Sequence, residues 1–119
     1  MRPHSTLIQE ISLPDLVYKY RLHSPNDCYI YTLRDPVTGA VRYVGQSVAP
    51  RGRLTQHLKV PTSPAMSAWF GELAALSLSP LMVIVDQVPS SRHRQWFAVE
   101  CSWVAYYVLE CGCDLLNNG

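Results

Sequence analysis

Glu100 is where a chemical reading of this sequence starts. Between Arg94 and Glu110 it is the only charged residue, in a run that holds Trp96, Phe97, Val99, Trp103, Val104, Tyr106, Tyr107, Val108 and Leu109. A helix that is apolar nearly all round is normally buried. A carboxylate on such a helix is costly unless it is paired or holds a metal ion. The competing reading places Glu100 at the helix edge, reaching solvent or an arginine. Tyr29, Tyr31 and Tyr43 form a second group. Tyr29 and Tyr31 share one face of an extended segment, because side chains alternate. With a turn centred near Val37, Tyr31 and Tyr43 face each other across a hairpin, and a one-residue slip would separate them. A cross-strand tyrosine pair also serves as plain packing. Arg53 and His57 lie four residues apart, on one face of a helix. One is always charged and the other titrates near neutrality, which suits an anionic substrate. A solvent-facing stripe has the same spacing.

These side chains need elements to position them. Cys28 to Arg34 is rich in aromatic and β-branched residues and reads as a strand. Asp35 to Gly39 is a turn, and Ala40 to Gly45 is the returning strand. Arg51 to Lys59 reads as a short basic helix, ended by Pro61 and Pro64. Ser63 caps a second helix with Pro64 at its first position, and the apolar face runs on to an end near Ser79. Leu81 to Asp86 is a short apolar run, read as a buried strand. Ser90 and Ser91 are candidate caps of a long third helix that runs to about Cys111, with Gly112 as its stop. The predicted order is β-β-α-α-β-α: an α/β chain of the α+β type, with a small antiparallel sheet of about three strands flanked by helices. Residues 1–27 form an N-terminal extension with a turn cluster from Ser24 to Asp27. The segment from Asp15 to Arg21 reads equally as helix or strand. Residues 28–119 form the folded module.

The 119 residues suit one domain, and 48% of them are hydrophobic against 16% charged, which excludes a disordered chain. The net charge is only +1, so charge placement matters more than its sum. From Pro36 to Gly71 there is no Asp or Glu, while Arg42, Arg51, Arg53, His57 and Lys59 fall there. Arg92, His93 and Arg94 form a second basic cluster. Two such patches can contact phosphates without a high pI, although solvated surface charge has the same look. Cys28, Cys101, Cys111 and Cys113 do not match a redox or zinc spacing, which weighs against a cysteine-based zinc or redox protein. No apolar run has the length of a membrane span, and the N-terminus lacks a signal-type apolar region. A cytoplasmic location with reduced thiols, and no membrane partner, is expected.

The order of these features adds to their weight. Tyr29-Ile30-Tyr31, Tyr43-Val44-Gly45, Arg53 with His57, a late helical Glu100 and Leu115-Leu116-Asn117 follow one another. In this the chain resembles the GIY-YIG nuclease family over about residues 28 to 117. Tyr29-Ile30-Tyr31 falls at the GIY triplet and Tyr43-Val44-Gly45 at the YIG triplet. Arg53 and His57 match the family's R-x-x-x-H helix, Glu100 its metal-binding Glu, and Asn117 its final Asn. Tyr29 departs from the pattern, which has Gly there, and this points to altered substrate fit. Asp86 and Gln46 have no family role.

The resemblance implies a metal-dependent endonuclease that hydrolyses phosphodiester bonds in DNA. It implies one divalent cation, Mg²⁺ or Mn²⁺, held by Glu100 and waters. Arg53 would stabilise the phosphate, and Tyr31 or Tyr43 would handle the nucleophile's proton with His57 as partner. Gly45 and Asn117 would support the site. Arg42, Arg51, Lys59, Arg92 and Arg94 are candidate nucleic-acid contacts. With nearly the whole chain in the module, sequence targeting falls to loops, the first 27 residues, a homodimer or a targeting partner. The alternative is a catalytically inactive module of the same fold that binds nucleic acid or protein.

Overall fold

A computed structural model describes residues 2–5, 10–12 and 26–117. The expected strand and helix order is present. Strands β1 (Ile11–Ser12), β2 (Cys28–Arg34) and β3 (Val41–Ser47) precede helices α1 (Pro50–Lys59) and α2 (Pro64–Ala75). Strand β4 (Leu81–Val88) and helix α3 (Trp96–Ala105) follow. The antiparallel sheet has the order β1-β4-β2-β3. Its three long strands are those read from the sequence. The two-residue β1 adds an edge strand from the N-terminal extension, with Ile11 opposite Ile84 and Ser12 opposite Val83. The segment from Asp15 to Arg21 lies outside the described residues. Among the described residues no helix is long and apolar enough to cross a membrane.

Strand β2 is central and covered on both faces, so six of its seven residues are buried whatever their parity. Tyr29, Tyr31 and Leu33 pack with Met82 and Ile84 against Met66, Trp69, Phe70 and Leu73 of α2. Cys28 and Ile30 pack on the other face with Val83, Val85, Trp103 and Tyr107. The molecule is therefore helix, sheet, helix, with a core on each side of the sheet.

Local chemistry explains most helix ends, and departs from expectation at two. Ser63 Oγ accepts from the Met66 N–H at 3.2 Å, as a cap should. Helix α2 stops at Ala75, ahead of the expected Ser79. Ser77 takes a left-handed φ of 59°, and its N–H and that of Leu78 return to Ala74 and Leu73. This closes the helix with a Schellman-type turn on a non-glycine residue. Neither Ser90 nor Ser91 caps α3. Ser90 to Gln95 forms a 3₁₀ segment with no side-chain cap. Its first amide, Ser90 N–H, donates instead to Asp27 Oδ1 at 3.0 Å. Helix α3 runs on as a π-helical stretch, Tyr106–Glu110, before Gly112 at φ 68° ends it as expected.

The third helix is not buried all round. Only Trp103 and Tyr107 are buried along it, while Phe97 is 68% and Leu109 81% exposed. Periodicity locates the inner face of a helix, but it does not decide whether an apolar outer face is covered.

Candidate active site

Tyr31 and Tyr43 lie on the same face of the sheet but are not directly opposed. Tyr31 pairs with Gly45 and Tyr43 with Leu33. The tyrosines are diagonal neighbours, with ring centroids 6.2 Å apart. Directly opposite Tyr31 there is no side chain, and its ring uses that space. A Cβ added to Gly45 would overlap the Tyr31 hydroxyl and stand 2.5 Å from Cζ. Gly45 is needed for this close approach. A register irregularity between Leu33 and Arg34 leaves Arg42 as an extra residue on β3. Its guanidinium sits over Trp69, 5.9 Å from the ring centroid, on the face that carries Tyr43.

Helix α1 brings His57 onto this pair. Pro50 stands at its first turn, where a missing N–H costs nothing. His57 is 1% exposed, with Nε2 at 2.7 Å from the Tyr31 hydroxyl and Nδ1 at 3.3 Å from Thr62 Oγ1. Its ring also meets Tyr43 edge-on at 5.1 Å. Burial, helped by the Arg53 charge, pushes the His57 pKa down to about 4, so the ring is neutral near pH 7. The Tyr31 phenol is pushed well up, first by burial and then by Tyr43, against the opposing pull of Arg53. Tyr31 therefore keeps its proton. Tyr31 and His57 form a neutral hydrogen-bonded pair behind the surface.

Arg53, one turn before His57, lies beside both phenols and donates to Gln56 Oε1 at 2.9 Å. Burial works against its charge, but Tyr31 and Tyr43 more than offset this and raise its pKa. Arg53 and Tyr43 are partly exposed, whereas Tyr31 is not.

Glu100 stands on α3, which packs chiefly on β3, near enough to Arg53 for the two charges to act on each other. Burial raises its pKa, and the nearby Arg53 charge partly lowers it again. Burial is the main cause that raises the pKa values of Tyr31 and of Cys28, and the Glu100 charge adds to it. Glu100 is partly exposed and has no hydrogen bond or ion pair among the described residues. Both its oxygens are thus available. No three His, Cys, Asp or Glu side chains converge among the described residues. Glu100 contributes a single carboxylate, an arrangement that suits a hard cation keeping most of its waters.

Asn117 supports the site through the backbone. Its Nδ2 donates to Val44 O at 2.6 Å, and its Oδ1 accepts from Val44 N at 3.0 Å. Leu116 N donates to Arg42 O at 2.6 Å. The C-terminal segment thereby pairs with the outer edge of β3 and holds the strand between Tyr43 and Gly45.

The remaining basic residues divide. Arg51 and Lys59 are exposed on α1, the helix that carries Arg53 and His57. Arg92 bonds Gln95 Oε1 and lines a different groove of about 630 Å³ with Arg2, His4, Val99 and Tyr106. Arg94 is exposed on the same 3₁₀ segment. None of Tyr31, Tyr43, Arg53, His57 or Glu100 lines that groove.

Tyr29 is 2% exposed and belongs to the core under α2. Asp86, which had no role in the sequence, is buried and accepts from Trp103 Nε1 at 3.0 Å. A bulge between the Ile30 and Tyr31 pairings turns it toward α3. It seats the helix that carries Glu100. Thr62 was also missed, since nothing in its sequence neighbourhood tells that it reaches the His57 ring. All four cysteines are free, and only Cys28 is buried. Compared with protein-family models, curated proteins and solved structures, the chain finds no match.

Proposed function

We propose that the protein is a GIY-YIG-like endonuclease that hydrolyses phosphodiester bonds in DNA with one divalent cation. The observation that carries the reading is the packing of Tyr31, Tyr43 and His57 on one another beside Arg53, with Glu100 near enough for its charge to act on Tyr31 and Arg53. A surface stripe or a packing pair would not need all five.

Hydrolysis adds a water oxygen to phosphorus, breaks the bond to the leaving sugar oxygen, and carries a proton of that water, by way of solvent, to the leaving oxygen. Glu100 would hold the cation, Mg²⁺ or Mn²⁺. The bound ion would supply polarisation of the phosphate and charge relief at the leaving oxygen. Arg53 would donate its N–H groups to the non-bridging oxygens as negative charge builds on them. Tyr43 is the partly exposed member of the tyrosine pair and the group that would meet the attacking water. Tyr31 and His57 would act behind it as a neutral positioning pair. Arg42, Arg51 and Lys59 would contact the nucleic-acid backbone, giving salt-dependent affinity. Arg92 and Arg94 would extend that contact from the 3₁₀ segment.

A second reading has one observation in its favour. The near-complete burial of Tyr31 and His57 would also be kept by a catalytically inactive module that only binds nucleic acid or protein. A cleavage assay on single-stranded, duplex and branched DNA and RNA, with Mg²⁺ or Mn²⁺, separates the two. Metal-dependent cutting lost on Arg53→Ala supports the nuclease. Tight DNA binding with no cutting on any substrate overturns it.

A further inference from the structure

Tyr31 is fully buried, so its hydroxyl proton must find an acceptor inside the molecule. Arg53 lies beside the phenol, but a guanidinium only donates. It can give a proton to the Tyr31 oxygen and cannot take one. Among the described residues the acceptor in reach is His57 Nε2, at 2.7 Å. Tyr31 therefore donates to Nε2. A neutral imidazole that accepts at Nε2 carries its own proton on Nδ1. Burial keeps the ring neutral near pH 7, so the first hydrogen bond decides the second. The ring is buried, and the Nδ1–H in turn needs a partner. Thr62 Oγ1 stands there at 3.3 Å and accepts.

Thr62 is held in place by the short link between α1 and α2. Before it, Val60 N–H returns to Gln56 O at 2.8 Å and closes α1, and the Pro61 ring fixes its own φ. After it, Ser63 caps α2. Thr62 itself is exposed, so its hydroxyl proton goes to solvent while its oxygen faces the ring. The opposite tautomer would place the His57 proton on Nε2. That would leave the Tyr31 O–H with no acceptor among the described residues, which a buried hydroxyl tolerates poorly.

We propose that Thr62 is a positioning residue of the candidate active site. By accepting from His57 Nδ1 it holds the tautomer in which Tyr31 donates inward and leaves its oxygen as an acceptor for Arg53. The tautomer follows from the hydrogen bonds alone, while its bearing on cleavage rests on the nuclease reading. Long-range proton–nitrogen correlation NMR of the His57 ring, in the full chain near neutral pH, tests it. The expected wild-type result is a pyrrole-type nitrogen at Nδ1 and a pyridine-type nitrogen at Nε2. Thr62→Val keeps the side-chain shape and removes the acceptor, so a mixture of tautomers is expected. Thr62→Ser is expected to restore the single form. Mg²⁺-dependent nicking is expected to fall by about tenfold in Thr62→Val, the scale of one neutral hydrogen bond, and to return in Thr62→Ser. A wild type with its proton on Nε2 overturns the proposal, and that result needs no variant to fold. An unchanged single tautomer in Thr62→Val overturns it too, as does unchanged nicking once the tautomer has shifted. A wild type that nicks nothing, yet shows the Nδ1 tautomer and loses it in Thr62→Val, fails the nuclease reading and upholds Thr62 as the residue that positions His57.

Discussion

The Tyr31 ring lies across Gly45, so close that the glycine has no room for a side chain. This relationship ties the hairpin to the candidate site, because the same ring carries the hydroxyl held by His57. Gly45→Ala is expected to lower stability by about 1–3 kcal/mol through overpacking. Tyr31→Phe in that background is expected to recover only part of the loss, since Cζ would still stand 2.5 Å from the new Cβ. Denaturant unfolding of the two single variants and the double variant measures this coupling.

His57 predicts a pH dependence of stability. Its pKa is about 4 in the fold against an ordinary 6.5, so between these values the unfolded chain binds the extra proton. Stability is fully present above pH 6.5 and falls as pH drops toward 4, by about 3 kcal/mol in all from this group. Urea unfolding from pH 7.5 to 4 checks it. His57→Gln is expected to be less stable at pH 7.5 but to show a shallower loss over that window.

Asn117 predicts a local effect. Asn117→Ala removes both bonds to the Val44 peptide, with an expected cost of about 1–3 kcal/mol. Hydrogen exchange at the Val44 amide is expected to accelerate more than exchange at Val83 in the inner strand β4. Asn117→Asp keeps the acceptor but loses the donor, so it is expected to protect Val44 N–H only in part.

The elements were legible in the sequence where the signal is local. The β2–β3 hairpin, the Ser63–Pro64 helix start and the Gly112 stop each depend on residues a few positions apart. Features set by distant partners were not legible. Ser90 is capped by Asp27 across the molecule, and Val44 is clamped by Asn117 from the C-terminus. The Tyr31–Tyr43 relationship was half legible. Parity put both rings on one face, but the irregularity beside Leu33 set the diagonal register. Glu100 stood out as a lone carboxylate, yet its nearness to Arg53 comes from the packing of α3 on β3.

Tyr29 gives a prediction that separates packing from substrate fit. Tyr29→Gly restores the residue type of the resembled family, but it empties a core position that is 2% exposed. The expected result is destabilisation of about 3–5 kcal/mol. A stable Tyr29→Gly variant with altered substrate preference would contradict the core assignment. Thermal melting alongside cleavage specificity makes the comparison.

The rate of Mg²⁺-dependent plasmid nicking by wild type and by Glu100→Ala tests the central claim most directly. Both proteins must show the same circular dichroism spectrum. The account predicts measurable nicking by wild type and a loss of about 100-fold or more in the variant, the scale of removing a group that stabilises developing charge. Equal nicking by the two proteins would contradict it.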